Sequence, residues 1–138
     1  MAITPYLYYR DVGAALTFLA KAFGFRKVGD QMVDARGRIN HAAMQRGDDL
    51  VMMGCPGSRY KNPKRLGQVT QNLYVTVDDA DKHCARAKKA GAEVLEEPMD
   101  TPYGHRRYGA VDPEGHHWYF AHELKRPRAK RTARRTAK

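Results

Sequence analysis

Six histidines, two cysteines and one serine are the side chains through which this 138-residue chain would do metal or nucleophilic chemistry. The histidines stand at 41, 83, 105, 116, 117 and 122, and no two have the i, i+4 spacing that sets a pair of ligands on one helix face. His41 on an early strand, with His105, His117 and His122 near the last two, leaves a nonstandard metal site as one reading. His83 reads as packing or surface, and His116 as part of a turn. Ser58 sits in a Gly/Pro loop without the G-x-S-x-G elbow that exposes a nucleophile. Cys55 and Cys84 read as small packed residues. Two cysteines are too few for a disulfide framework, so they are expected as free thiols in a reducing cytoplasm. No apolar run approaches the roughly 20 residues that cross a bilayer, so no membrane contact is expected.

The elements that position these groups come in two rounds. Pro5–Tyr9 reads as a strand, Asp11 as a helix N-cap, and Ala15, Phe18, Leu19, Ala22 and Phe23 as one helix face that stops at Gly24. Residues 25–33, 38–46 and 49–54 read as three strands. Asn72–Val77 then repeats the opening strand, Asp79 the cap, residues 80–90 the helix and Gly91 its stop. Strands follow near Ala92–Leu95, Arg106–Val111 and His117–His122, with a turn at Asp112–Gly115. A shift of 68 positions lays Tyr6 on Tyr74 and Asp11 on Asp79. This is a duplicated βαβββ unit: one domain over 1–124, with modules about 3–54 and 70–124 and a linker at 55–69. The linker is rich in Gly, Pro and positive charge, and reads either as a solvated connection or as a functional flap.

Eight of the net +10 charges fall in residues 125–138, which hold no acidic or large apolar residue. That tail is expected to be disordered, and able to contact nucleic acid weakly and without sequence choice.

Strand alternation sorts the side chains. If Leu73, Val75 and Val77 face the helix, then Asn72, Tyr74 and Thr76 face away from it, with Tyr6, Tyr8 and Tyr119, while Trp118 and Phe120 turn inward. The face away from the helices, read as the wall of a cavity, is then aromatic with hydroxyl tips, suited to a planar or amphipathic organic ligand. The same tyrosines would equally serve a closed core or a dimer interface. An arginine near its rim, Arg106 or Arg107, would clamp an anionic group or pair with Asp112 or Glu114. Glu96, Glu97 and Asp100 around Pro98 read as a solvated loop.

The opening stretch ITPYLYYRDVGAALTFLAKAFGFRKV and the closing stretch TPYGHRRYGAVDPEGHHWYFAHEL resemble the vicinal oxygen chelate superfamily of glyoxalases, extradiol dioxygenases and bleomycin-resistance proteins. The resemblance implies an α+β fold, two βαβββ modules forming a cup-shaped mixed sheet with helices on the outer face, and a homodimer. Its metalloenzymes carry His, Gln or Glu at four positions, which here fall on Thr4, Met52 or Met53, Asn72 and Tyr119. A thioether, a carboxamide, a hydroxyl and a phenol are a poor set for a hard divalent ion. The expectation is therefore a protein that binds or sequesters a small organic molecule, an antibiotic or an aromatic metabolite, without catalytic residues, metal or cofactor. Its expected ligand-binding residues are Tyr6, Tyr8, His41 and Met52 from the first module. Asn72, Tyr74, Arg106 and Tyr119 come from the second. The alternatives are a metal-dependent lyase, isomerase or dioxygenase with a nonstandard site, and a nucleic-acid-associated protein acting through the tail.

Overall fold

In the computed structural model, which describes residues 2–125, the two aspartates act as the repeat requires. Asp11 accepts a hydrogen bond from the Ala14 amide at 2.9 Å and Asp79 from Lys82 at 3.1 Å, each satisfying a donor at a helix start. Helix α1 (Val12–Phe18) follows Asp11 and widens into a π-helical turn, Leu19–Phe23, in which Leu19, Ala22 and Phe23 are all buried. A short helix α2 (Pro63–Leu66) lies in the linker, and α3 (Ala80–Lys89) is the second module's main helix.

Strands β1 (Tyr6–Tyr8), β2 (Arg26–Val33), β3 (Ile39–Arg46) and β4 (Asp49–Gly54) form one sheet in the order β1-β4-β3-β2. Strands β5 (Asn72–Thr76), β6 (Glu93–Asp100), β7 (His105–Val111) and β8 (His117–Glu123) form another in the order β5-β8-β7-β6. In each, the first strand runs parallel to the last and the other neighbours are antiparallel. The fold is the expected α+β duplication, with a helix on the face of each sheet opposite the tyrosines. Two boundaries differ. The second strand of module two runs on through Pro98 to Asp100, with register shifts at Val94/Glu96 and Glu96/Met99, so the acidic residues read as a loop belong to an edge strand. The linker is not merely a spacer, because α2 is fastened to the second module: Lys64 N–H donates to the Glu114 carbonyl at 3.0 Å.

The two helical layers pack against each other and join the modules through one core. Phe23, at the end of the π turn, has its ring centre 4.7 Å from Phe120 and 5.5 Å from Trp118, side chains of the other module. Fully burying rings of this size contributes about 1.5–3 kcal/mol each. Polar groups at the junction are paired. Asp112 accepts from the Tyr9 hydroxyl at 2.6 Å and the Trp118 indole at 3.1 Å. Glu114 accepts from the Arg10 and Asp11 amides at 2.6 and 2.8 Å and from the Asn62 amide group at 2.9 Å. The DPEG turn therefore clamps the second module onto the strand-to-helix corner of the first. His116, read as structural, is also engaged there, its Nε2 donating to the Tyr8 carbonyl at 2.8 Å.

His83 is satisfied packing between the modules. Its Nε2 donates to the Phe23 carbonyl at 2.9 Å, which leaves Nδ1 as acceptor for the Tyr108 hydroxyl. Burial pushes its pKa down to about 4 from 6.5. Below 6.5 the unfolded chain takes up a proton that the folded chain refuses, so stability falls as pH drops from 6.5 through about 4 and is level above 6.5. The loss is on the order of 2–3 kcal/mol. Urea denaturation between about pH 5 and neutrality, where carboxylates stay ionised, should give a steeper pH slope for the native chain than for His83→Gln. Equal slopes would contradict the buried neutral imidazole.

Among the described residues, no helix is long and apolar enough to cross a membrane. Of the basic tail 125–138, on which the nucleic-acid expectation rests, all but Lys125 lies outside the described residues.

Candidate functional site

On the first sheet the face away from α1 is bare and aromatic. Tyr6 and Tyr8 are about half exposed, at 47% and 51%, while Leu7 between them is buried. Tyr6 stands beside Met52 in register and reaches across β4 to β3, where its hydroxyl meets His41 Nδ1 at 2.7 Å. The ring crosses Gly54, where a Cβ would lie 2.5 Å from the Tyr6 oxygen, so only glycine lets it lie flat. Met53 faces the helix and is fully buried, which leaves Met52 as the residue on this face. The linker adds Tyr60, packed edge-on to Tyr8 at 5.8 Å and donating to the Tyr8 carbonyl at 2.9 Å. Tyr6, Tyr8, His41 and Met52 thus come together as expected.

The second sheet repeats the arrangement with more polar groups. Asn72 pairs with His117 and Tyr74 with Tyr119, which fixes the register and places Asn72, Tyr74 and Tyr119 on one face. Tyr119 lies over Gly109, where a Cβ would be 2.7 Å from its ring. The Tyr74 hydroxyl meets His105 Nδ1 at 2.8 Å, so in both modules a first-strand tyrosine crosses a strand to a histidine. Desolvation, with the hydrogen bond to Tyr103, pushes the Tyr74 pKa up to about 12, and the phenol stays protonated. Tyr103, on the turn between β6 and β7, folds over this face and had no sequence signal beyond its type.

Arg106 does not belong to this face. It pairs with Asp81 on α3 at 2.9 Å and with Asp100 at 2.9 Å, on the helix side. Its neighbour Arg107 takes the place: the guanidinium lies 5.3 Å above the Tyr119 ring and pairs with Glu96 at 2.8 Å. Neither arginine meets Asp112 or Glu114, the partners expected from the sequence, because those carboxylates already serve the module junction. Glu97 is likewise paired, with Lys88 at 2.6 Å.

Each helix covers the face of its own sheet away from the tyrosines, and the helices meet where the Arg86 guanidinium of α3 donates to the Lys21 and Ala20 carbonyls, both at 3.1 Å. A groove of about 610 Å³ beside β5, lined by Pro5, Phe25, Leu50, Tyr74 and Trp118 among others, takes in Tyr74 alone of the expected ligand-binding residues.

The donor set at the superfamily's metal positions does not fit a divalent ion. Thr4, Met52, Asn72 and Tyr119 supply no imidazole, carboxylate or thiolate, and His41 and His105 each turn Nδ1 to a tyrosine. No three His, Cys, Asp or Glu converge on a common point among the described residues. What the faces offer is stacking area, phenol hydroxyls and one guanidinium, which is equipment for holding an organic molecule.

Comparison with known proteins places these features in context. The family described as Glyoxalase/Bleomycin resistance protein/Dioxygenase superfamily matches residues 3–120. The chain is 36% identical over 124 residues to the Mycobacterium tuberculosis H37Rv protein Rv0887c, covering 85% of this chain and 71% of that protein. It is similar to the crystal structure of TioX from Micromonospora sp. ML1, with 34% identity, a TM-score of 0.73, and coverage of 90% of this chain and 99% of TioX. A glyoxalase/bleomycin resistance protein/dioxygenase family enzyme from Burkholderia phytofirmans PsJN shares the fold alone, at 18% identity and a TM-score of 0.66 over 88% of this chain and 97% of that one.

Proposed function

The chain belongs to the glyoxalase/bleomycin resistance protein/dioxygenase superfamily, and from that premise we propose that it binds a planar organic molecule stoichiometrically, without a metal, between tyrosine-covered sheets. One observation carries this reading: both sheets keep an exposed aromatic face, Tyr6 and Tyr8 on the first and Tyr74 and Tyr103 on the second, with Tyr6 lying over Gly54 and the half-buried Tyr119 over Gly109. An apolar surface of this kind left uncovered marks a place where something binds. An antibiotic or an aromatic metabolite has the required shape.

A ligand lying on one sheet needs a second wall, and a second copy of the chain supplies it. The open edges suit this. Strands β1 and β5 carry no charged residue and no register shift, whereas β2 and β6 are bulged and charged, the devices by which edge strands avoid pairing. A homodimer that sets β1 of one copy beside β5 of the other brings a first-sheet face opposite a second-sheet face.

The test uses N-phenylnaphthylamine, a planar fluorophore that brightens in apolar surroundings, titrated into chelator-treated protein. Saturable binding of one molecule per chain is expected, unchanged by added zinc, with light scattering giving twice the chain mass. Binding that disappears with chelator and returns with metal would reverse the reading. Trp118 is a poor reporter for this titration, because it is fully buried on the helix side of β8.

A further inference from the structure

We propose that the second sheet carries a hydrogen-bond donor subsite, centred on Tyr103 and positioned by Arg107, that selects planar ligands bearing a carbonyl-type acceptor oxygen. The inference rests on the binding reading above and adds the chemistry of the ligand's polar end.

The direction of the hydrogen bonds carries it. Glu96 receives the Arg107 Nε and Nη2 donors at 2.8 and 3.3 Å and fixes the guanidinium plane. Arg107 Nη1 then donates to the Tyr103 oxygen at 2.9 Å. A guanidinium has no acceptor, so Tyr103 is the acceptor here and keeps its own hydrogen to give. The hydroxyl within reach is Tyr74's, at 3.3 Å, well beyond the ~2.7–2.8 Å of a good O–H···O bond. The short contact of the Tyr74 hydroxyl is with His105 Nδ1 at 2.8 Å, so no short acceptor holds the Tyr103 hydrogen. The loosest link in the row is therefore the Tyr103 donor, and it is the one that a ligand oxygen would take over.

Position and charge define the ligand. Tyr103 is 57% exposed and edge-on to His105 at 5.0 Å, on the same face as the Tyr119 platform beneath Arg107. A ring laid on the guanidinium that covers Tyr119 brings a substituent to the Tyr103 hydroxyl. The cation behind Tyr103 polarises its O–H bond, and hydrogen bonds in a row reinforce one another. Glu96 neutralises that cation, so the subsite favours a neutral carbonyl oxygen over a full anion. Among the described residues of the first sheet no arginine donates to a tyrosine oxygen as Arg107 does to Tyr103, and the Tyr6 hydroxyl meets His41 at 2.7 Å. The carbonyl end of the ligand is thus directed to the second sheet.

The test compares prodan, a naphthalene fluorophore carrying a ketone whose emission moves to the red on accepting a hydrogen bond, with N-phenylnaphthylamine, which has no acceptor oxygen. Tyr103→Phe should weaken prodan roughly tenfold and move its bound emission to the blue, leaving N-phenylnaphthylamine unchanged. Arg107→Gln should move the bound prodan emission part of the way, a signature that a merely structural role of Arg107 would not produce. Equal effects of Tyr103→Phe on both probes, no effect on either, or native protein that binds N-phenylnaphthylamine but not prodan would overturn the subsite alone. Native protein that binds neither probe would overturn the subsite together with the binding reading beneath it.

Discussion

Replacing Glu114 by alanine should cost the fold about 3–5 kcal/mol, the largest loss expected from any single polar substitution in this chain. The carboxylate is buried at the module junction and takes three donors at once, the amides of Arg10 and Asp11 and the side chain of Asn62. Alanine takes the acceptor from all three at a part-buried corner, and each donor stranded without a partner costs about 1–3 kcal/mol. Glu114→Gln should lose about half as much, because one amide oxygen remains to accept while the NH2 group meets donors. For a domain of this size the alanine variant should melt roughly 10–15 °C lower. Urea denaturation and thermal melting check the result. A loss under about 1 kcal/mol would mean that the DPEG turn does not hold the modules together.

The second large effect concerns binding. Tyr6→Ala and Tyr119→Ala should each weaken N-phenylnaphthylamine by roughly 30-fold, the scale of a truncated aromatic anchor, and together abolish measurable binding. In Tyr6→Ala the fold should be almost untouched, because Tyr6 is half exposed and surface substitutions usually stay within about 0.5 kcal/mol. Gly54→Ala gives the same result by another route. Its new Cβ would stand 2.5 Å from the Tyr6 hydroxyl, so the ring must lift and its bond to His41 break. Separate fluorescence titrations of the three variants read this out. Full affinity in Tyr6→Ala would remove the first sheet from the binding surface.

Much of this was legible in the residues themselves. Asp11 and Asp79 are short side chains that cap helices wherever they stand before an apolar run, and the 68-position repeat needs no tertiary knowledge. Alternation around Leu73, Val75 and Val77 sufficed to put Asn72, Tyr74 and Tyr119 on one face. The same rule missed the arginine. Slipping a strand by one residue exchanges its faces, and Arg106 and Arg107 are adjacent, so choosing between them required the register of β7 against β8. The extent of β6 was hidden because Pro98 and three acidic residues look like a loop, while an edge strand tolerates both when its outer side is unpaired. Tyr60 and Tyr103 reach the faces from turns, where no periodicity points a side chain. That the two modules share one core depends on contacts such as Phe23 with Phe120, roughly a hundred positions apart, which local patterns do not encode.

Ring-labelled tyrosine NMR on chelator-treated protein, titrated with N-phenylnaphthylamine, is the most direct test of whether the exposed aromatic faces are the binding walls. The eight tyrosines report on both sides of the sheets at once. The expected result is that Tyr6, Tyr8, Tyr74 and Tyr119 shift, while Tyr9 and Tyr108, fully buried on the helix side, stay fixed. Shifts at Tyr9 and Tyr108 with Tyr6 and Tyr119 unmoved, or no shift at any tyrosine, would contradict it.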